Sequence, residues 1–202
     1  MIAALYVDPI GIYSGRPDVD CWDEERDARK YKGPHAVIAH PPCQLWGAYA
    51  FVNFKRWGGD HNRPGNDGGC FLAALRAVER FGGVLEHPFQ SRAWAFYGVT
   101  KPWQAGWCQL HTEEYEIRKW VCEVWQSAYG YKANKRTVLL YSGEREPFDL
   151  NWSHPIGTHQ CGFHDQRGKA KNKPTISGRA ASATPSLFAE KLLELANWAS
   201  TG

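Results

Sequence analysis

Nowhere does the 202-residue chain run to about 18 consecutive apolar residues, so no membrane-spanning helix is expected. The N-terminus, MIAALYVD, lacks a basic leader and meets an acid at Asp8, so it reads as a strand and not as a signal peptide. The six cysteines form no C-x-x-C pair and no tight framework, which points to a reduced, cytoplasmic protein. Charge of either sign is in no great excess. A formal net charge of +3 permits nucleic-acid binding without demanding it. Internal repeats and Pro/Gly/Ser linkers are also missing, and the length suits one domain over residues 1–202. His159-Gln-Cys161-Gly-Phe-His164 offers metal-ligand types, but no second cluster completes four ligands and no metal is assigned.

Aromatic residues, in contrast, are plentiful: ten Trp, nine Tyr and nine Phe. Some fill the core, and others are candidates for flat contacts with a ligand or a base.

Apolar patterning predicts a first strand at 2–7, a polar helix at 22–31, a buried strand at 36–39 and a long loop at 44–66. Asp67 then caps a helix over 68–81, whose Phe71, Leu72, Leu75, Val78 and Phe81 recur at helical spacing. Strands follow at 83–88, 120–126 and 136–142, with a helical turn at 91–97 between the first two. An irregular basic segment spans 151–183, and a last helix about 185–199. This alternation predicts an α/β, Rossmann-like fold: a mainly parallel sheet, helices on both faces, a single compact domain.

Two of the apolar strands end in a polar residue next to proline. One runs VIA-His40-Pro41-Pro42-Cys43 and the other VL-Glu86-His87-Pro88. Ligands of parallel sheets bind just beyond the carboxyl ends of strands, so Cys43 and Glu86 are expected to face one pocket. A thiolate is a strong nucleophile once its pKa falls, and a partly buried carboxylic acid can hold a proton for a ring nitrogen. The pair suits attack on an electron-poor heterocycle, with His40 and His87 beside it as orienting groups or cations. A buried structural cysteine and a surface-paired glutamate are the plainer alternatives.

These motifs resemble those of the DNA cytosine-C5 methyltransferases. VIAHPPCQLW is similar to their Pro-Cys motif, VLEHP to their Glu-Asn motif with His87 in place of Asn, and YGYKANKRTVLLY (129–141) to their later Tyr-Gly…Gln-x-Arg-x-Arg stretch. They occur in the family order over 36–141. The resemblance implies that Cys43 adds to C6 of a cytosine flipped out of DNA, that Glu86 contacts N3, and that C5 takes a methyl group from S-adenosylmethionine. It also implies that Pro42, Gln44, Trp46, His87, Lys135 and Arg136 lie around the base or its strand, and that Asp8, Gly11, Asp27 and Pro41 lie around the cofactor. Arg167, Lys169 and Lys171 would then meet DNA phosphates from a reduced recognition segment.

The sequence departs from the family where VDPIGIYSG (7–15) replaces its Phe-x-Gly-x-Gly loop, where Thr137 replaces the second Arg, and where a full recognition domain would follow. Compact relatives of this kind resemble phage and prophage proteins, which act in a bacterial host. Three functions stay open: the methyltransferase, an enzyme modifying pyrimidine nucleotides with another cofactor, and an inactive DNA-binding or decoy protein.

Overall fold

Strands covered on both faces must be apolar on both, and that is how the centre of the sheet is written. In a computed structural model describing residues 1–47, 49–111, 118–161 and 173–200, strand β1 (Ile2–Leu5) is buried at every position. Ile2 and Ala4 face one core, Ala3 and Leu5 the other. Strand β2 (Val19–Trp22) pairs with it in parallel, and a 3-10 turn (Ala28–Lys30) leads to β3 (Val37–Ala39) on its other side. Next come α1 (Ala50–Trp57), α2 (Cys70–Phe81), β4 (Gly83–Pro88), α3 (Ala93–Phe96) and β5 (Cys108–Leu110). After β6 (Lys119–Trp125) and β7 (Arg136–Ser142) lie a short pair, β8 (Gln160–Cys161) and β9 (Thr175–Ile176), then α4 (Arg179–Ser182) and α5 (Ser186–Ala199).

The seven main strands described take the order β2-β1-β3-β4-β7-β6-β5. The first four are mutually parallel, while the β4–β7, β7–β6 and β6–β5 pairings are antiparallel. The sheet is therefore mixed, and the expected mainly parallel sheet holds for its β2–β4 half. Helix α2 covers one face with Phe71, Ala74, Leu75 and Val78, a stripe at i, i+3, i+4 and i+7, with Ala77 beside it. Helix α5 covers the other with Phe188, Leu192 and Leu195 among others. Asp67 accepts from the Gly69 and Phe71 amides, and α2 starts at Cys70, two residues beyond the expected start. At Gly83 (φ 119°) a Cβ would collide with the Val37 backbone, so only glycine lets β4 lie against β3.

Three elements differ from expectation. The helix at 22–31 is replaced by edge strand β2 and the 3-10 turn. Arg26 binds Asp20 and the Cys21 carbonyl, and Asp27 sits at φ 54°, in the left-handed region that stops a helix. Within 44–66 the chain forms α1, which buries only Ala50 and so carries no core-facing apolar stripe. Strand β5 pairs at the far edge beside β6. Of the segment 151–183, the described parts carry β8, β9 and α4, and Arg167, Lys169 and Lys171 lie outside the described residues. Among the described residues no helix is long and apolar enough to cross a membrane.

Candidate active site

The chain leaves β1 toward β2 on one side and returns to β3 on the other. The carboxyl ends of β1 and β3 therefore diverge and open a crevice, the usual ligand position in open α/β sheets. A cleft of about 1390 Å³ lies there. Cys43 and Gln44, after β3, line it together with Glu86 and His87 of β4 and Lys135, which precedes β7. So do Asp8 and Gly11 after β1, Asp27 of the β2–β3 connection, and Pro41 and Pro42. Sequence separations of up to 178 residues, from Tyr6 to Thr184, thus close onto one site.

Side-chain alternation along β4 sends Glu86 and His87 to opposite faces of the sheet. Glu86 is 7% exposed and held by three donors. Its Oε1 accepts from Gln126 Nε2 (3.1 Å) and from the Thr137 hydroxyl (3.2 Å). Its Oε2 lies 3.0 Å from His40 Nδ1, and His40 Nε2 lies 3.1 Å from the phenol of Tyr13, itself 2% exposed. Burial pushes the Glu86 carboxyl up, but the His40 hydrogen bond, the Lys135 charge and the two histidines outweigh it and hold the group down at about 2. The expected proton-holding acid is therefore corrected. The His40 hydrogen bond and the nearby Lys135 charge leave it ionised, against its burial.

Cys43 behaves in the opposite way. Burial, and then the charge of Glu86, raise its thiol above the ordinary value, with Lys135 pulling against them. The resting pair is thus a thiol beside a carboxylate, not the low-pKa thiolate first expected. His87 is also corrected. Its ring is 1% exposed and packs edge-on against Phe71 (5.0 Å) and Trp94 (5.9 Å). Burial lowers its pKa to about 4, against the pull of Glu86, so it is neutral and supplies no cation to Cys43.

Trp46 and Arg136 do not reach the cleft. Trp46 is 3% exposed, donates its indole N–H to Asp67 (2.8 Å) and packs on Phe71 and Tyr97. It fixes the chain three residues beyond Cys43 to the start of α2 instead of meeting a base. Arg136 forms a two-pronged pair with Glu123 (2.7 and 2.9 Å) on the outer rim. Cys161 lies 4.0 Å from the Tyr131 hydroxyl, His159 bonds Thr158, and His164 lies outside the described residues.

At the β1–β2 end the walls are different. After β1, Tyr6 takes φ 60°, a conformation rare for a non-glycine residue and concentrated at functional sites. Asp8 accepts from the Ile10 amide (3.1 Å) and pairs with Arg179 (2.5 Å) from α4. Gly11 closes this turn on the Asp8 carbonyl, and a Cβ there would stand 3.1 Å from Asp8. Asp23 and Glu24, directly after β2, also line the cleft. An acid just past the second strand is the usual ribose-hydroxyl acceptor of nucleotide folds. Reading 22–31 as a helix hid this pair and left Asp27 as the candidate, although Asp27 is engaged by Arg29 at 2.7 Å.

Sequence reasoning also missed Tyr13, Gln126 and Thr137. In the sequence Thr137 reads only as a replaced arginine. Gln126, the polar residue that ends the strand expected at 120–126, was the available signal for its partner role. Searches against family models, characterised proteins and solved structures found no match for this chain.

Proposed function

We propose that the chain is a DNA cytosine-C5 methyltransferase-like enzyme on a Rossmann-like fold, using Cys43 as nucleophile and Glu86 as its proton partner. The carrying observation is that both side chains line one cleft at the carboxyl ends of adjacent parallel strands, with Glu86 fixed by Gln126, Thr137 and His40.

The proton exchange is coupled to bond formation, since a carboxylate held at about 2 is too weak a base to take the proton of a raised thiol in a separate step. As a pyrimidine enters, the Cys43 proton passes by way of Glu86 to N3 in concert with attack of the sulfur on C6, which makes N3 basic. The sulfur bonds to C6, and the C5=C6 π pair moves onto C5. S-adenosylmethionine, when bound, supplies an electrophilic methyl group for C5. The C5 proton then leaves to water, its bonding pair restores C5=C6, and the C–S bond breaks. The N3 proton returns through Glu86 to the leaving thiolate, which restores thiol and carboxylate. Lys135, beside both groups, stabilises the negative charge that moves between them.

The β1–β2 end of the cleft fits this cofactor by its chemistry. Asp23 and Glu24 offer acceptors to ribose hydroxyls, Asp8 and Asp27 offer negative charge to a sulfonium and ammonium, and Ile10 and Ile12 give an apolar wall. Gly11 and Pro41 shape that wall where the family's glycine loop would stand.

DNA carrying 5-fluorocytosine tests the reading, since fluorine at C5 blocks the final proton loss and traps the sulfur adduct. Mass spectrometry is expected to find an adduct only when S-adenosylmethionine is present, and none with Cys43→Ala. No adduct together with no cofactor heat in calorimetry would overturn the reading. Adduct formation independent of cofactor would instead mark a different pyrimidine-modifying chemistry.

A further inference from the structure

Beside the cleft, along the same edge of the sheet, a band of aromatic rings is capped by cations. Phe89 directly follows β4, and Arg136 and Lys101 stand 4.0 and 4.8 Å from its ring centre. Trp125 closes β6, which runs in the same direction as β4, and stacks on His154 at 4.9 Å with only 25° between the planes. Arg92, three residues beyond Phe89, lies 4.4 Å above Phe51 of α1. The band therefore runs from α1 past the start of α3 to the β6–β7 edge, next to Lys135 in the cleft.

Two observations set it apart from ordinary surface. Phe51 and Trp57 are 52% and 67% exposed on a helix that buries only Ala50, so packing of the core does not explain them. Lys55, Arg56, Arg92 and Lys101 also have no carboxylate within 4.0 Å among the described residues. One acid, Glu123, lies within the band, where it holds Arg136 and accepts from the Trp125 indole N–H, while Asp18, Asp20, Asp23, Glu24, Glu25 and Asp27 cluster around β2.

Exposed rings on α1, half-buried rings at Phe89 and Trp125, and the cations Lys55, Arg56, Arg92 and Lys101 are what an unpaired nucleic-acid strand needs: ring faces for its bases and positive charge for its phosphates. A duplex offers phosphates and groove edges but keeps its base faces stacked, so the rings would add nothing to duplex binding. We infer that this rim binds single-stranded DNA and that the substrate pyrimidine reaches Cys43 from an unpaired strand. The inference rests on the function proposed above and names the form of its substrate.

Fluorescence anisotropy tests it with three labelled probes of equal length: a mixed-sequence single strand, its blunt duplex, and an abasic strand that keeps phosphates without bases. The single strand is expected to bind at least about tenfold more tightly than either of the others. Phe51→Ala and Trp57→Ala, on a helix outside the core, should each weaken single-strand binding about tenfold. The double variant Arg92→Ala/Lys101→Ala should flatten the salt dependence by about 1.4 in log–log slope. Circular dichroism checks that each variant is folded. Equal binding of strand and duplex, equal binding of the abasic strand, or wild-type binding by Phe51→Ala and Trp57→Ala would overturn the inference. Strand binding without any 5-fluorocytosine adduct would keep the surface and remove the chemistry. An adduct on duplex DNA without strand preference would do the reverse.

Discussion

The two ends of the cleft are built on different physical terms. At the β3–β4 end, Glu86, His40 and Tyr13 are linked through partly buried hydrogen bonds, and the buried bonds from Gln126 and Thr137 complete the set. At the β1–β2 end, Asp8 and Asp27 are held by arginines that water also reaches. A buried carboxylate held by fixed donors keeps its direction and charge before any ligand arrives. A solvated ion pair costs little to exchange for a ligand's hydroxyls or cationic group. The contrast teaches that the end proposed for the chemistry is preorganised, while the end proposed for the cofactor is suited to binding by exchange.

Acid titration of stability probes that contrast most strongly. Glu86 stands at about 2 when folded, against an ordinary value of 4.5. A depressed carboxyl contributes stability that is present above pH 4.5 and lost as pH falls through about 2. The full contribution is roughly 3 kcal/mol by linkage. Urea unfolding is expected to show Glu86→Gln destabilised by about that amount at neutral pH, with the gap narrowing by more than half near pH ~3. A gap that stays constant with pH would show that Glu86 is not held ionised, and the two ends of the cleft would then be alike.

A smaller effect sharpens the view of Cys43, the proposed nucleophile. Burial raises the Cys43 thiol first and the Glu86 charge second. Removing that charge leaves the burial in place. Glu86→Gln should therefore speed iodoacetamide alkylation of Cys43 near neutral pH by only about threefold, followed by peptide mass mapping. Unchanged or slower alkylation would mean that the carboxylate does not act on the thiol, and the proposed proton exchange would lose its path.

Much of this arrangement was legible in the sequence, for physical reasons. β1 and β3 are covered on both faces and so read as unbroken apolar runs, as does the start of β4 over 83–85, and α2 and α5 each present a stripe with the helical period. The strand tips at Cys43 and Glu86 were visible because apolar runs stop there against proline. β2 was not visible. As an edge strand whose four residues are all half-buried, it carries Asp20 beside Trp22 and lacks the buried-strand signature. The partners of Glu86 were hidden because register, not spacing, assembles them: Pro88 faces Thr137 across β4–β7, and Thr137 faces Val124 across β7–β6, two residues before Gln126. Trp46 misled through its residue type. An indole after the nucleophile suggested a base contact, but its N–H is satisfied by Asp67 in the core.

The smallest expected effect lies at the exchange end. Arg179 and Asp8 join α4 to the loop after β1 over 171 residues of sequence, and both side chains are open to water. The Ile10 amide, then Arg179, holds the Asp8 carboxyl below its usual value without burying it. Screening by water leaves such a pair nearly neutral for folding. Arg179→Ala should therefore unfold at the wild-type urea midpoint. It should also leave Asp8 open to a cationic ligand, so calorimetry is expected to find S-adenosylmethionine bound as well as by the wild type or better. Clear destabilisation would place this pair in the same structural class as the Glu86 network. Loss of cofactor binding would show that Arg179 itself holds the ligand, and the cofactor end would then be preorganised like the other.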